Sequence, residues 1–460
     1  MSSVLIRDCD VVATMDDQST EFAGGSIVIE DGIITWAGSG KAPAPAGVDV
    51  IDGRGTVAIP GLVNAHHHLY QAMTRTRAQE SVLFDWLREL YPVWANLDAE
   101  WVRTSALVGI AELALSGCST VSDHHYIFPS GTGDLLLAEI EAAATLGVRF
   151  HPCRGSMDLG ESKGGLPPDH IVQDADAILA ETETAVHRHH DPKPGAMVRI
   201  AVGPCSPFSA SRLLMRESAR LARKLGVRLH THIAETAEEE KFCREHFERR
   251  PLELLEDLEF LGTDVWLAHC VHLNAADIDC IARTHTGVAW CPTSNLRLGS
   301  GIAPARELLD AGVHVGLGVD GSASNDSANL LAESRLGMLV IRGAKGPKAM
   351  APREALRVAT RGGAQCLGRD DVGSIEAGKR GDVALFEVDD LAHAGASDAV
   401  ASLVLCSPRG ARHLVVEGRP VVRDHRLVGM DQEEIAAQGH RLARRIAASP
   451  NVAPAKARQS

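Results

Sequence analysis

The stretch PGLVNAHHHLYQ, from Pro60 to Gln71, places three consecutive histidines directly after a short apolar run. The same arrangement recurs along the chain: an apolar run ends in polar or histidine-bearing residues, and a longer amphipathic segment follows. The eight runs occupy residues 61–68, 119–125, 147–155, 198–207, 227–235, 264–270, 287–295 and 314–321. Strands that alternate with helices predict a parallel sheet of the α/β class. Eight such units favour a closed (β/α)8 barrel, a TIM barrel, over an open doubly wound sheet.

The two ends of the chain have a different pattern, with short β-like runs separated by glycines. Residues 1–57 include GGSIVIEDGIITWAG, and residues 376–430 include GDVALFEV and HLVVEGRPVVRD. Neither piece is long enough to bury a good core alone. We therefore predict one small β-sandwich-like domain, built from both ends, beside a barrel of residues 58–375. Residues 431–460 are predicted to form a C-terminal helix and then a frayed tail rich in Pro and Ala.

Composition excludes several classes of partner. A formal net charge of -14 over 460 residues disfavours nucleic acids and anionic membrane surfaces, which both need clustered Lys and Arg. No segment reaches the roughly 18 apolar residues of a spanning helix, and the N-terminal residues do not resemble a signal peptide. The ten cysteines form no Cys-x-x-Cys pair. They predict reduced thiols and a cytoplasmic protein.

The histidine triplet has the spacing of half a metal site. In a barrel, the C-terminal ends of the strands face the active site. Side chains two residues apart in a strand share a face. We therefore expect His66 and His68 to point together into the mouth of the barrel, and His67 to point away.

Metal-binding residue types also end three other runs. His232 and Glu235 end the fifth run, His269 ends the sixth and Asp320 ends the eighth. A single buried histidine or aspartate in a barrel is often only a hydrogen-bonding residue. Occurring together at strand ends, these residues predict a site for a divalent metal ion.

This combination resembles the amidohydrolase superfamily over nearly the whole chain. PGLVNAHHH is similar to its first-strand Pro-Gly motif with His-x-His, HIAE to its fifth-strand His-x-x-Glu, AHC to its sixth-strand His and GVDGS to its eighth-strand Asp. The segment GSIEAGKRGDVALFE resembles the family's C-terminal entry into the flanking β domain. The motifs are specific in combination, whereas His-x-His alone would be a weak signal.

The resemblance implies one metal ion rather than two. Members with two metals use a lysine, usually carbamylated, at the end of the fourth strand, where this chain has Gly-Pro-Cys at residues 203–205. The implied ligands are His66, His68, His232 and Asp320. This mixed set of nitrogen and oxygen donors suits zinc, and iron(II) also fits it.

The implied reaction is hydrolytic deamination of an aromatic heterocycle by a metal-activated water. Asp320 would accept the proton of the water, and Glu235 would carry a proton to the ring nitrogen beside the attacked carbon. His269 would orient the attacking water or stabilise the tetrahedral oxygen. The other zinc deaminase architecture, with His-x-Glu and Pro-Cys-x-x-Cys, has no counterpart in this sequence.

Four residues are predicted to contact the substrate: Gln71, Trp94, Arg154 and Cys205. Adenosylhomocysteine deaminases carry a ribose-binding Glu and a strand-four His where this chain has Trp94 and Cys205, which favours a free base over a nucleoside. Gln71 lies where base deaminases place an amide against the edge of the base. Arg154 would face a base carbonyl, with a structural salt bridge as the alternative.

Three segments, LFDWLRELYPVW, CRGSMDLGESKGGLPPD and PCSPFS, resemble the 8-oxoguanine deaminase group, which converts 8-oxoguanine to urate and ammonia. A related aminohydrolase for guanine, isocytosine or a hydroxy-s-triazine remains the alternative. An inactive scaffold with this fold is disfavoured, because such proteins typically lose metal-binding histidines and this chain keeps them. We expect a small heterocyclic base as the partner, and a homo-oligomer, dimeric or larger.

Overall fold

The computed structural model describes residues 3–406 and 409–449, which form two sheets with surrounding helices. The strands are β1 (Ser3–Ala13), β2 (Glu21–Glu30), β3 (Ile33–Ser39), β4 (Asp49–Asp52), β5 (Thr56–Pro60), β6 (Leu62–Asn64), β7 (Cys118–His125), β8 (Arg149–Ser156), β9 (Ala201–Pro204), β10 (Leu229–Ile233), β11 (Val265–His269), β12 (Gly287–Trp290), β13 (Val315–Leu317), β14 (Val383–Glu387), β15 (His413–Val416), β16 (Arg419–Arg423) and β17 (Arg426–Leu427).

The α-helices lie mainly between the barrel strands. They are α1 (Leu83–Trp94), α2 (Ala99–Leu115), α3 (Leu135–Leu146), α4 (Ala175–His189), α5 (Arg212–Leu225), α6 (Ala237–Phe247), α7 (Pro251–Asp257), α8 (Ala275–Thr284), α9 (Pro292–Arg297), α10 (Ala305–Asp310), α11 (Leu330–Lys345), α12 (Pro352–Arg357), α13 (Gly363–Cys366), α14 (Ala399–Leu405) and α15 (Gln432–Ala447). A 3-10 helix, Leu69–Thr74, follows the histidine triplet. No helix of the described residues is both long and apolar enough to cross a membrane.

The predicted (β/α)8 barrel is confirmed. Strands β6 to β13 form one parallel sheet in sequence order. The first and last strands meet where the Ala65 N–H donates to the Leu317 carbonyl (2.8 Å) and the Asp320 N–H donates to the His66 carbonyl (3.1 Å). Every residue of β7 and β8 is buried, as expected for parallel strands covered on both faces.

Capping residues fix both ends of helix α5. The Ser211 side chain accepts the Leu214 N–H and caps α5, and Gly226 ends this helix in the left-handed region with a φ of 66°. The apolar face of α5, including Leu214 and Met215, is buried against the barrel. Burial of such faces around the barrel supplies the main core.

The second sheet joins the two chain ends, as predicted for the small β domain. Strand β14 pairs antiparallel with β5, and β1 to β4 and β15 to β17 extend the sheet on either side. Arg149, the first residue of β8, donates to both carboxylate oxygens of Asp382, at 3.0 and 2.9 Å. This buried pair attaches the sheet to the barrel. The predicted frayed tail from residue 450 onward lies outside the described residues.

Candidate metal centre and active site

Three imidazoles and one carboxylate meet at the C-terminal ends of the barrel strands. The Nε2 atoms of His68 and His232 are 3.1 Å apart. The Nε2 atoms of His66 and His68 lie 3.4 and 3.3 Å from Oδ1 of Asp320. All four side chains are buried. The structure therefore brings together the four residues predicted as ligands.

The loops that follow the strands hold these groups in place. Asn64 ends β6, and its Oδ1 accepts the Val319 N–H (2.9 Å), which ties the histidine segment to the loop that carries Asp320. Asp320 itself has a φ of 60°, a conformation that non-glycine residues rarely adopt and that occurs often at functional sites. Its Oδ1 accepts the Gly321 N–H (2.7 Å), and its Oδ2 accepts the Ser324 hydroxyl (2.9 Å).

Backbone carbonyls select the tautomers of His68 and His232. The Nδ1 atom of His68 lies 2.7 Å from the His124 carbonyl, and Nδ1 of His232 lies 2.7 Å from the Cys205 carbonyl. Because a carbonyl oxygen can only accept, both Nδ1 atoms carry the hydrogen. Each Nε2 is then left with a lone pair that points into the site.

His66 adopts the same tautomer, with the hydrogen on Nδ1, through a contact with His230, a histidine that the sequence analysis missed. His230 Nδ1 donates to the Trp266 carbonyl (2.7 Å), so its Nε2 accepts from His66 Nδ1 (2.8 Å). The Nε2 of His66 is buried and has no hydrogen-bond partner among the described residues. The signal for His230 was available: in HTHIAE it lies two residues before His232, on the same face of β10.

The donor set fits a divalent cation. Burial lowers the pKa of His66 well below its ordinary value and that of His68 to about 3, so both imidazoles are neutral near pH 7. The Asp320 carboxylate accepts hydrogen bonds from the Gly321 N–H and the Ser324 hydroxyl, which favour its ionised form. Lone pairs 3.1 Å apart repel one another unless a cation lies between them. Three neutral imidazoles and one carboxylate are ligands typical of zinc.

We expect His230→Phe to weaken metal binding by about 10- to 100-fold, the usual effect of removing a group that orients a metal ligand. Phenylalanine keeps the stacking of residue 230 on Trp266 (ring centroids 4.3 Å apart) but cannot accept the His66 hydrogen. Competition with a chelator measures the affinity. His151→Phe is the matched control, because His151 also packs beside Trp266 (5.8 Å) without contacting a predicted ligand. Equal losses of metal affinity in the His230→Phe and His151→Phe variants would contradict the positioning role of His230.

His67 lies on the other side of the strand end from this cluster. It packs toward α2, where a methyl group added at Gly109 would lie 3.7 Å from His67 Nε2. Its two ring nitrogens are buried without partners in the described part of the chain. His67 thus points away from the cluster, as the alternation of side chains predicts.

Glu235 and His269 face each other beside the cluster. His269 Nε2 lies 3.5 Å from Glu235 Oε2, and His269 Nδ1 lies 3.0 Å from the amide nitrogen of Asn295, a second residue that the sequence analysis missed. Because the amide nitrogen donates, Nδ1 accepts and Nε2 carries the hydrogen. His269 is therefore arranged as a hydrogen-bond donor toward the site.

The backbone under Glu235 is fixed by another buried acid. Both carboxylate oxygens of Glu239 are used, accepting the N–H groups of Ala234 (2.9 Å) and Glu235 (2.8 Å). Burial and the neighbouring charges of Asp320 and Glu239 raise the pKa of Glu235 well above its ordinary value. One oxygen of the Glu235 carboxyl, Oε1, is left without a partner among the described residues, beside the predicted metal ligands.

These groups line a narrow cavity of about 30 Å³. Its polar residues are His68, Gln71, Ser206, His232, Glu235, His269, Asp320 and Ser324, and its other residues are Leu83, Trp86, Leu87, Tyr91, Tyr126, Cys205, Phe208 and Leu298. The polar groups lie at the strand ends, and side chains from α1 cover them. A heterocyclic base can enter only if some of these covering side chains move.

Two of the residues predicted to contact the substrate line this cavity. The Gln71 amide is fully buried, and its Oε1 has no partner within the described residues. It packs so closely on Gly321 that a Cβ there would lie 1.8 Å from Oε1. Cys205 lines the cavity as well, and its carbonyl orients His232. Substrate contact by both residues stays a prediction.

Trp94 and Arg154, by contrast, do not line the cavity. Trp94 is buried behind Trp86 (ring centroids 5.2 Å apart) and donates from Nε1 to Thr74 Oγ1 (3.2 Å). The aromatic surface that the sequence assigned to Trp94 is supplied instead by Trp86 and Tyr91.

Arg154 forms the salt bridge that the sequence left as an alternative. Its Nη2 donates to Glu181 (2.5 Å) and Gln173 (2.9 Å). Its guanidinium lies 3.7 Å from the centre of the Phe128 ring. These contacts hold the side chain outside the cavity, so the structure gives no support to a contact between Arg154 and a base.

Comparisons with known proteins agree with this geometry. A sequence model of the amidohydrolase family matches residues 57–421. The chain is 45% identical to 8-oxoguanine deaminase of Pseudomonas aeruginosa over 92% of this chain and 94% of that protein. It is 38% identical to hydroxydechloroatrazine ethylaminohydrolase of a Pseudomonas species over 97% and 96%. A crystal structure of atrazine chlorohydrolase from Arthrobacter aurescens, complexed with zinc, superposes with a TM-score of 0.92 at 36% identity, covering 96% of this chain and all of that one (100%).

Proposed function

Because the chain belongs to the amidohydrolase family, we propose that it is a metal-dependent aminohydrolase that deaminates a free heterocyclic base, with 8-oxoguanine as its substrate and one zinc ion as its metal. The observation that carries the proposal is the meeting of three kinds of group in one cavity. These are the metal-binding cluster, the carboxyl of Glu235 and the amide of Gln71, and the last two each have a buried oxygen without a partner among the described residues. The high identity to an 8-oxoguanine deaminase supports the choice of base.

Each residue of the site has a separate role in the reaction. A divalent ion on His66, His68, His232 and Asp320 would supply an activated water at neutral pH. Asp320 takes one proton from the water and passes it to the departing amino group, and Glu235 gives a proton to the ring nitrogen beside the attacked carbon and recovers one from the hydroxyl formed on that carbon. The His269 Nε2–H stabilises the negative charge that develops on the oxygen. One water is consumed, the C–NH₂ bond breaks, a C=O group forms and ammonia leaves.

The shape of the cavity favours a flat base over a nucleoside. Its cover consists mainly of apolar and aromatic side chains, among them Leu87, Trp86 and Phe208. Such side chains can pack on a planar ring but offer no partner to ribose hydroxyls. The amide of Gln71 can both donate and accept, which suits the adjacent C=O and N–H groups on the edge of a hydroxylated heterocycle. A hydroxy-s-triazine is the second candidate, favoured by the 38% identity to the hydroxydechloroatrazine enzyme.

We expect purified, zinc-loaded protein to release ammonia from 8-oxoguanine with a higher kcat/KM than from guanine, isocytosine or a hydroxy-s-triazine. Adenosine and S-adenosylhomocysteine should give no measurable ammonia, because the side chains that cover the strand ends, such as Trp86, Leu87 and Phe208, offer their sugars no free polar group. A coupled ammonia assay with each substrate at several concentrations measures the ratios. If adenosine proved the better substrate, the proposed specificity for a free base would be wrong, although the metal centre would stand.

Gln71→Ala separates recognition from chemistry in the same assay. A site built to hydrogen-bond a substrate loses discrimination when the bonding group is removed. The variant should therefore turn over 8-oxoguanine poorly while its zinc content stays normal. Unchanged kcat/KM in this variant would show that Gln71 does not contact the base.

A further inference from the structure

A second, larger cavity lies at the opposite end of the barrel from the metal centre. Its volume is about 610 Å³, and its lining includes His151, His190, Arg199, Arg223, Arg228 and Asp264. Arg228 directly precedes β10 and Arg199 lies two residues before β9, so both lie at the N-terminal opening of the barrel. In a chain with a net charge of -14, three arginines around one cavity are unexpected.

Two of these arginines lack a carboxylate partner within the described residues. Arg228 donates from Nη1 to the Thr263 carbonyl (3.1 Å), and its buried Nε–H has no partner. Arg199 donates to backbone carbonyls, for example that of Lys193 (3.0 Å), and its Nε–H is also buried without a partner. Asp264 forms a salt bridge with the third arginine, Arg223, at 3.2 Å, and its charge also acts on Arg228 from a longer distance.

Nearby arginines with structural roles are fully paired, which makes this contrast informative. Arg149 donates to Asp382, as described above, and also to the Gly195 carbonyl (2.7 Å). Arg369 donates to both carboxylate oxygens of Asp371, at 2.7 and 2.8 Å. Arg199 and Arg228 are half-buried, and both line the cavity. A positive charge that lines a cleft without a paired carboxylate attracts an anion.

The imidazole at the inner end of the cavity adds to this arrangement. His151 is only 2% exposed, and its Nδ1 has no partner among the described residues. Burial and the charges of Arg369, Arg228 and Arg199 lower its pKa well below the ordinary value. The positive charges of these guanidinium groups therefore act on His151 and on one another.

We propose that this cavity binds a phosphate oxyanion, either inorganic phosphate or the phosphate group of a nucleotide. Arginine is well suited to this ligand, because its planar fork of N–H groups matches two phosphate oxygens at once. The guanidinium groups of Arg199 and Arg228 line the cavity and would supply these donors. A volume of about 610 Å³ has room for a whole mononucleotide.

The test is isothermal titration calorimetry on the purified, metal-loaded protein at constant ionic strength. The probes are inorganic phosphate, uridine monophosphate and uridine, since a pyrimidine keeps purine binding at the deaminase site out of the measurement. We expect saturable binding of phosphate or of uridine monophosphate, with a Kd of roughly 1 mM or tighter, and none of uridine. Tighter binding of the nucleotide than of phosphate would identify a nucleotide as the occupant, and equal binding would identify the phosphate group alone.

Two variants and one control decide the location of binding. Arg228→Gln should weaken binding by at least about tenfold, and Arg199→Gln gives an independent measurement from the rim of the cavity. Arg220→Gln is the matched control: Arg220 lies on α5 like Arg223, but it pairs with Glu217 at the surface, with 63% of its side chain exposed. The proposal is overturned if neither anion binds, or if the control weakens binding as much as the cavity variants do.

Discussion

His232→Ala protein is expected to purify without metal and to lose at least about 10⁴-fold in turnover of 8-oxoguanine, because the activation of water by a bound cation is lost. The Nε2 of His232 lies 3.1 Å from that of His68, and its Nδ1 is held by the Cys205 carbonyl. Alanine removes one of the four predicted donors, and the other three are held in place by their own hydrogen bonds. Elemental analysis and the ammonia assay, applied to the same preparation, measure both effects.

His67→Gln is the matched control for this loss. His67 is as deeply buried as the predicted ligands and lies between two of them in the sequence, yet it packs toward Gly109 of α2. The His67→Gln protein should keep one equivalent of metal and most of its activity. Two equivalents of metal per chain in the wild-type protein would contradict the single-metal prediction. Full activity in a metal-free preparation would contradict the mechanism.

The barrel and its metal centre could be predicted because both depend on short-range pattern. Each apolar run marks a strand, and the C-terminal ends of parallel strands must meet on one side of the barrel. The residues that follow β6, β10 and β13 therefore come together whatever the details of the helices. His66 and Asp320, 254 positions apart in the chain (320 minus 66), lie within 3.4 Å of each other for this reason.

The walls of the cavity could not be predicted in the same way. Trp86 and Trp94 lie on the same helix, and the rotation of α1 about its axis decides which of them faces the metal centre. That rotation depends on packing against side chains far away in the sequence, such as Phe208, which a local pattern does not specify. Arg154 was misplaced for a related reason, since its partner Glu181 belongs to α4 and becomes visible only in three dimensions.

The role of His230 and the cationic cavity were missed because each depends on contacts between segments that are far apart in the sequence. The acceptor state of His230 Nε2 follows from the Trp266 carbonyl on the neighbouring strand β11. The cavity collects Arg199, Arg223 and Arg228 from the ends of β9, α5 and β10. In sequence each is an ordinary arginine among many, and only the absence of a carboxylate partner within the described structure sets two of them apart.

Glu235→Gln is expected to lower kcat for 8-oxoguanine by at least about 10²-fold, the usual contribution of a general acid–base group. The amide has nearly the same shape as the carboxyl, but it cannot give a proton to the ring nitrogen and recover it. Zinc content should stay near one equivalent, because Glu235 is not among the predicted ligands. The measurement is kcat at saturating substrate, with elemental analysis of the same sample.

Glu238→Gln is the control, since it makes the same chemical substitution on the same segment at an exposed residue that does not line the cavity. It should leave kcat unchanged. The comparison also separates proton transfer from positioning: Glu239, whose carboxylate holds the Ala234 and Glu235 N–H groups, is intact in both variants. A fall in kcat confined to Glu235→Gln is therefore due to the lost proton carrier and not to a shifted backbone. Full activity in Glu235→Gln would require another group, with His269 the nearest candidate at 3.5 Å, to deliver the proton.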